Sequence, residues 1–282
     1  MRHFSVLSTV FAGALLLGAC SEKSADETVE RAFKDVNAID EANLGDVMLT
    51  VGDPNEAVIY FQRTLQDNAD NIDNHRGLAQ SLVRARRYDE AVVAWDRALT
   101  VTGAGDSDRV ELADALIRSG NWDRAEKTLS SIPPTHETFA RYRLEAIVAD
   151  SKQQWKKADS FYETAVGLTT KPAPVLNNWG YSKLTRGDYK DAERLFTQAV
   201  TQDNGLFTAK NNLVLARGAQ RNYALPVVPM DQTERAQLLH TLALSAIKQG
   251  DVETGKGLLR DAIETHPQHF EAASRSLSAL EG

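Results

Sequence analysis

Residues 88–95 read YDEAVVAW, and the arrangement returns as WDRAEKTL at 122–129, WKKADSFY at 155–162 and YKDAERLF at 189–196. Each copy opens on an aromatic ring, carries an Ala three residues later and a large side chain four residues after that. A further copy runs from Pro54 through Ala57 to Phe61, with proline in place of the ring. The five alanines, Ala57, Ala91, Ala125, Ala158 and Ala192, are spaced 34, 34, 33 and 34 apart. Twelve residues before each stands a small residue: Gly45, Ala79, Ala113, Ala146 and Gly180. A large residue precedes it at Leu44, Leu78, Leu112 and Trp179, with Glu145 the exception. Spacings of three and four belong to helices, and a fixed period near 34 belongs to a repeat array.

Both small columns have one physical explanation. Two antiparallel helices that cross closely need small side chains where they touch, and the aromatic and large columns fill the space between neighbouring pairs. Gly52-Asp53, Gly120-Asn121, Gly187-Asp188 and Gly250-Asp251 punctuate the turns. The four columns resemble the tetratricopeptide repeat. That resemblance implies an all-α chain, a right-handed tetratricopeptide-repeat α-solenoid in which each unit touches only its neighbours, preceded here by a lipoprotein signal peptide.

The register gives five units over 38–206, beginning at residues 38, 72, 106, 139 and 173. A sixth begins at Phe207, but its second helix would centre on Pro226 within Leu225-Pro226-Val227-Val228-Pro229-Met230. Two prolines three apart cannot sit inside a helix. The sixth unit is therefore expected to replace that helix by an extended segment, either with Leu225, Val227 and Val228 covering Leu213 and Val214 or as a hinge or docking edge beside the Asn211-Asn212 groove. A seventh unit, 236–269, and a capping helix from Phe270 to Leu280 complete the region 207–282.

The amino terminus reads as a targeting segment. Met1-Arg2-His3 is a short positive start, and Phe4 to Ala19 is uncharged and too short to span a bilayer. Leu17-Gly18-Ala19-Cys20 has the form of a lipoprotein box, and Cys20 is the sole cysteine. Residues 1–19 are read as the lipoprotein signal peptide, Cys20 as the lipidation site, and 20–37 as a lipidated tether with a short leading helix over Glu27 to Asn37. Ser21, not Asp, follows the cysteine. By the sorting rule for Gram-negative lipoproteins this favours the outer membrane, with the protein on its periplasmic face.

Reactive chemistry is scarce. The 282 residues carry a net charge of −7 and no basic block, which argues against nucleic acid. One cysteine leaves no disulfide framework and no CxxC metal site. His266-Pro267-Gln268-His269 lacks neighbouring ligands, and Gly255-Lys256-Gly257 lacks the rest of a phosphate loop. The Asp/Asn run 67–74 lacks the Gly and Glu of a calcium loop and suits turns and helix caps. No catalytic residue, cofactor, metal or small-molecule substrate is expected.

What such a fold offers is a groove lined by the first helix of each unit. Counting from the start of each unit, position 5 gives Ala42, Arg76, Val110, Arg143, Asn177, Asn211 and His240. Position 6 adds Asn178 and Asn212, and position 9 adds Gln80 and Tyr181. Asn177-Asn178 and Asn211-Asn212 would form an amide ladder that either hydrogen-bonds an extended peptide or bridges adjacent helices. Arg76 and Arg143 lie two units apart, so paired cations in adjacent units are missing.

The C-terminal half is more particular. Asn-Asn-Leu-Val-Leu-Ala at 211–216, the Leu-Pro-Val-Val-Pro-Met interruption and the long last unit from Thr233 to Ala273 resemble the TadD proteins, over roughly 170–282. These are outer-membrane lipoproteins of tight-adherence (Flp) pilus assembly. The resemblance implies a pilotin-like scaffold whose partners are proteins, the pilus secretin or other assembly components, with a lipid anchor in the outer membrane. The alternatives are a general periplasmic scaffold for outer-membrane protein or polysaccharide export, and a regulatory subunit of a cell-envelope enzyme.

Overall fold

Small residues at 34-residue intervals let helices meet closely, and the computed structural model shows those meetings. It describes residues 44–281, which contain helices and no strand. Cys20, the signal segment, the tether with its leading helix, and Ala42 lie outside the described residues.

Helix α1 occupies 44–50. Then follow α2 (Pro54–Asp67), α3 (Ile72–Arg84), α4 (Tyr88–Ala98), α5 (Asp106–Arg118), α6 (Trp122–Ser130) and α7 (Phe139–Ser151). The second half holds α8 (Trp155–Gly167), α9 (Ala173–Thr185), α10 (Tyr189–Gln202), α11 (Phe207–Ala219), α12 (Gln232–Lys248), α13 (Val252–Thr265) and α14 (Glu271–Glu281). Helices pair in sequence as hairpins, α3 with α4 through α9 with α10, and then α12 with α13, and a Cβ on Gly45 of α1 would lie 3.6 Å from the Phe61 ring of α2. First helices of consecutive pairs also meet, α5 with α7 and α9 with α11. The described chain is thus an all-helical, solenoid-like repeat array.

The five alanines are fully buried, and the large side chains after them, Phe61, Trp95, Leu129, Tyr162 and Phe196, are at most 2% exposed. The crossings are tight. A Cβ on Gly180 would lie 2.7 Å from the Phe196 ring, and one on Gly77 would lie 2.3 Å from the Phe61 ring. Gly77 stands outside the small column, so the period alone does not reveal its role.

Helix starts follow local capping. Asp53 accepts from the amides of Asn55 and Glu56, with Pro54 opening α2, and Asn71 accepts from those of Asp73 and Asn74. The Asp/Asn run at 67–74 therefore supplies a cap. Most turns that follow a first helix carry one left-handed residue. Arg86, Gly120, Gln153, Gly187, Arg221 and Gly250 all take positive φ, between 57° and 85°. Glycine fills three of these places without strain, and Arg86, Gln153 and Arg221 fill the others at a cost.

Arg221 begins the usual turn after α11, yet no second helix follows: residues 220–231 carry none. They form a strap. Arg217 Nε donates to Ala224 O at 3.2 Å, and Tyr223 Oη donates to Asp251 Oδ2 at 2.6 Å. Leu225 and Met230 pack with Val214, Leu238 and Leu242, while Val228 packs against Phe196 and Leu213. Leu213 and Val214 are buried as a result. Val227 does not share in the cover, contrary to expectation. Val228 N donates to Pro226 O at 3.0 Å, closing a three-residue turn that points Val227 fully into solvent.

Two outcomes follow for thermal or denaturant unfolding. Gly180→Val and Ala192→Leu overpack a crossing and lower stability by roughly 1–3 kcal/mol or more, while exposed Lys190→Glu stays within about 0.5 kcal/mol. Within the strap, Val228→Asp lowers stability by roughly 1–3 kcal/mol, and Val227→Asp is near neutral.

Candidate functional site

The first helices, α1, α3, α5, α7, α9, α11 and α12, present their middle positions on one face. Most polar side chains there are already engaged across the unit boundary. Arg76 Nε donates to Asp108 Oδ1 at 2.7 Å and its NH2 group donates to Asp108 Oδ2 at 2.9 Å and Gly103 O at 3.1 Å. Burial alone would push the Asp108 carboxyl up, but the bonds from Arg76 and the Gly105 amide outweigh it and hold it below its ordinary value. One pair on, Arg143 donates to Asp114 at 3.3 Å, and Asp114 also holds Arg118 at 2.5 Å. Both arginines are therefore bound up in joining units.

The amides behave alike. Asn212 Nδ2 donates to Asn177 Oδ1 at 2.9 Å, and Thr241 Oγ1 donates to Asn211 Oδ1 at 2.8 Å. The ladder is staggered, position 6 of α11 meeting position 5 of α9. Asn212 is buried, Asn177 and Asn211 keep their amide N–H groups unengaged within the described residues, and Asn178 is half-buried. Asp150 at the end of α7 adds a tie that sequence reasoning missed. Ser182 Oγ donates to it at 2.6 Å and Tyr162 Oη at 3.2 Å. Burial pushes this carboxyl up.

His240 departs from its expected place in an open groove. It is half-buried beneath α14, with the Phe270 ring edge-on at 5.4 Å and Ser276 Oγ at 3.4 Å from Nε2. The capping helix covers the position that the next first helix would cover in a longer array. Desolvation lowers the His240 pKa. Val110, at the same position of its unit, is buried too.

What remains open is the later part of position 9. From the N-terminus the column reads Asp46, Gln80, Asp114, Ile147, Tyr181, Leu215 and Leu244. Its polar members come first and its apolar members last. Tyr181 is 54% exposed and Leu244 46%. A cleft of about 510 Å³ crosses α9, the start of α10, α11 and α12, lined by Leu184, Tyr189, Leu215 and Leu244 with Thr241 and Lys248, and Tyr181 lies outside its lining. No lining residue is acidic. Lys248 is exposed and has no ion pair among the described residues. The sequence signal for Leu215 and Leu244 was the spacing that gives Tyr181, carried on two more units. Gln80 and Arg76 line a separate cleft of about 560 Å³ between α1 and α3, bordered by Asp46 and Asp73. Among the described residues no helix is long and apolar enough to cross a membrane.

Two segments, 43–108 and 237–269, match tetratricopeptide-repeat family models. Tetratricopeptide repeat protein 21B of Mus musculus is 27% identical over 111 residues, which is 39% of this chain and 8% of that protein. Among solved structures, the APC/C hetero-tetramer Cut9-Hcn1 gives a TM-score of 0.60 at 12% identity, covering 84% of this chain and 48% of the other. A tetratricopeptide repeat protein from Parabacteroides merdae gives 0.56 at 13% identity, covering 86% and 98%. The chain spans less than half the length of the first two. At these identities the structural likeness speaks to the fold alone.

Two measurements test the bonding described on this face. Asn212→Ala leaves the Asn177 carbonyl unpaired and lowers stability by about 1–3 kcal/mol, whereas Asn178→Ala leaves the melting temperature unchanged. The folded chain holds His240 neutral, while the unfolded chain protonates it near its ordinary value of 6.5. Its contribution is therefore present above about pH 6.5 and is lost as pH falls toward the depressed value. The fall in melting temperature between about pH 6.5 and 5 should be shallower in His240→Gln than in the natural chain.

Proposed function

We propose that this tetratricopeptide-repeat chain is a non-catalytic scaffold that binds a partner protein across α9, α11 and α12. The observation that carries the reading is the open apolar cleft on a face whose other polar groups are mostly consumed in joining helices. A concave, largely apolar site with a few polar groups at its edge is the usual form of a binding pocket.

The setting proposed for this scaffold is the periplasmic side of the outer membrane, with Cys20 as its anchor. Leu17-Gly18-Ala19-Cys20 and the polar stretch after it support that setting. Two acyl signals on one cysteine suffice for stable anchoring. The proposed task is assembly of the tight-adherence pilus machinery, with the secretin as partner. Its support is the 211–216 motif, the Leu225–Met230 interruption and the long last unit.

Cys20→Ser is expected to remain uncleaved or to appear as soluble protein, and to leave the outer-membrane fraction after a salt wash. Flotation unchanged in that variant would remove the anchoring claim. Deletion of the gene is expected to abolish pili and to lower the amount of assembled secretin in outer membranes. Normal pili in the deletion strain, with an export defect instead, would move the scaffold to another envelope machine.

A further inference from the structure

Helix α1 carries an apolar stripe with nothing packed on it. Leu44, Val47 and Val51 follow one another at helical spacings of three and four, and Val47 and Val51 are 49% and 79% exposed. In later units the counterparts of Val47 are covered: Ser81, Ala115, Val148, Ser182 and Ala216 are at most 3% exposed. The cover comes from the unit before. Leu213 and Ala216, the counterparts of Leu44 and Val47 on α11, pack with Ala192 and Phe196 of α10. The described residues hold no such helix ahead of α1. We infer that the chain's own segment 25–36 docks on α1 as that missing helix, closing the first end of the array and shortening the link to Cys20. The docking is independent of the scaffold reading, and only its consequence for the anchor rests on the setting proposed above.

The segment has the pattern the site requires. Residues 24–36 read SADETVERAFKDV. Val29, Ala32, Phe33 and Val36 stand at i, i+3, i+4 and i+7, which makes one apolar stripe on a helix, and every other position from 26 to 35 is polar. Ser24 and Glu27 have the spacing of a capping box, and Asp26 and Glu27 suit the positive end of a helix. Val29 to Val36 covers seven residues, as does Leu44 to Val51, so each stripe is about 10.5 Å long. Phe33 stands four residues after Val29, as Phe196 stands four after Ala192. Residues 37–43 leave seven for the connection, the number that joins α4 to α5.

The end unit of a repeat array that faces water needs a polar outer face. Helix α1 has the reverse. At the place of Val51 later units carry polar groups that bond the preceding second helix: Lys152 donates to Glu126 at 2.5 Å and Gln220 to Glu193 at 2.8 Å. A valine there suits an apolar cover. The other end of the array is closed in this manner by α14, whose Ala273 is buried with Leu239 and Leu259. Docking also sets a distance. With the segment in place, only residues 21–24 separate Cys20 from the folded body, at most about 14 Å, whereas residues 21–43 could extend to about 80 Å. A lipid on Cys20 then holds the first unit at the membrane surface.

Hydrogen–deuterium exchange with mass readout tests the docking on the full chain in nonionic detergent, at a concentration where light scattering reports a monomer. Amides of 27–36 are expected to exchange at least about tenfold slower than in a synthetic peptide of residues 21–43. Val47→Asp and Phe33→Asp are each expected to bring them within about twofold of the peptide. Unchanged rates in α9 and α11 then show that docking was lost and folding kept. Val93→Asp, on the exposed face of α4, is expected to change nothing.

Peptide-like rates in the natural chain overturn the docking, and so does slow exchange that survives both variants. Protection that fades on dilution as a dimer dissociates gives the stripe to a second copy instead. Protection that appears only with phosphatidylglycerol vesicles gives the segment to the bilayer instead. The shortened link has its own readout. With the lipidated chain in vesicles, energy transfer from a dye on Asn55→Cys to headgroup-labelled lipid is expected to fall in Val47→Asp. Equal transfer in the two chains overturns the shortened link alone, and a natural chain that does not associate with vesicles overturns the anchor and leaves the docking standing.

Discussion

The close crossing of two helices at a pair of small residues sets the rest of the molecule. Where α10 passes α9, Ala192 is fully buried and the Phe196 ring lies directly over Gly180. Ala57, Ala91, Ala125 and Ala158 are fully buried likewise, and the Phe61 ring lies over Gly45. Such a crossing fixes the angle within each hairpin and thereby where the next hairpin docks. Because the core is built from many such local contacts, stability is spread along the array. A local defect can then be tolerated if something covers the apolar flank it leaves.

The strap at 220–231 is such a case. Losing a helix removes a packing partner from α11, and a sequence with Pro226 and Pro229 cannot restore it as helix. The extended segment instead lays Leu225, Val228 and Met230 onto the flank and sends Val227 outward. It is anchored at both ends, by Arg217 to the Ala224 carbonyl and by Tyr223 to Asp251. Lys210, almost completely buried, reaches Glu234 at 2.8 Å, and Glu234 in turn closes the cap on α12 with Asp231. These contacts carry the register across the interruption, so that α9, α11 and α12 still present one continuous cleft.

Polar side chains on the first-helix face serve chiefly to hold adjacent units at fixed spacing. A carboxylate or amide at the boundary is half-desolvated, and leaving it unpaired is costly. Arg76, Arg143, Asn177 and Asn212 are drawn into pairs for that reason. The binding surface is then left to groups that need no partner, the aliphatic and aromatic members of position 9, and to one cation at the edge.

The sequence by itself determined the helix pairs, their period, the buried alanine and large-residue columns, and the break at the two prolines. These follow from local rules: helical spacing, the ban on proline within a helix, and the need for small residues at a crossing. It also located the face on which the candidate residues lie. Only the tertiary structure decided which of those residues stay available. Arg76 and Asp108 are 32 positions apart, and Asn177 and Asn212 are 35 apart, so their pairing depends on how one unit docks on the next. His240 is covered because α14 packs over it, and Val227 is bare because a three-residue turn swings it out. The left-handed turns at Arg86, Gln153 and Arg221 were likewise invisible without glycine to mark them. Local propensity specifies elements, but which side chains satisfy one another is settled only when distant elements meet, since the cost of an unpaired buried group is felt only there.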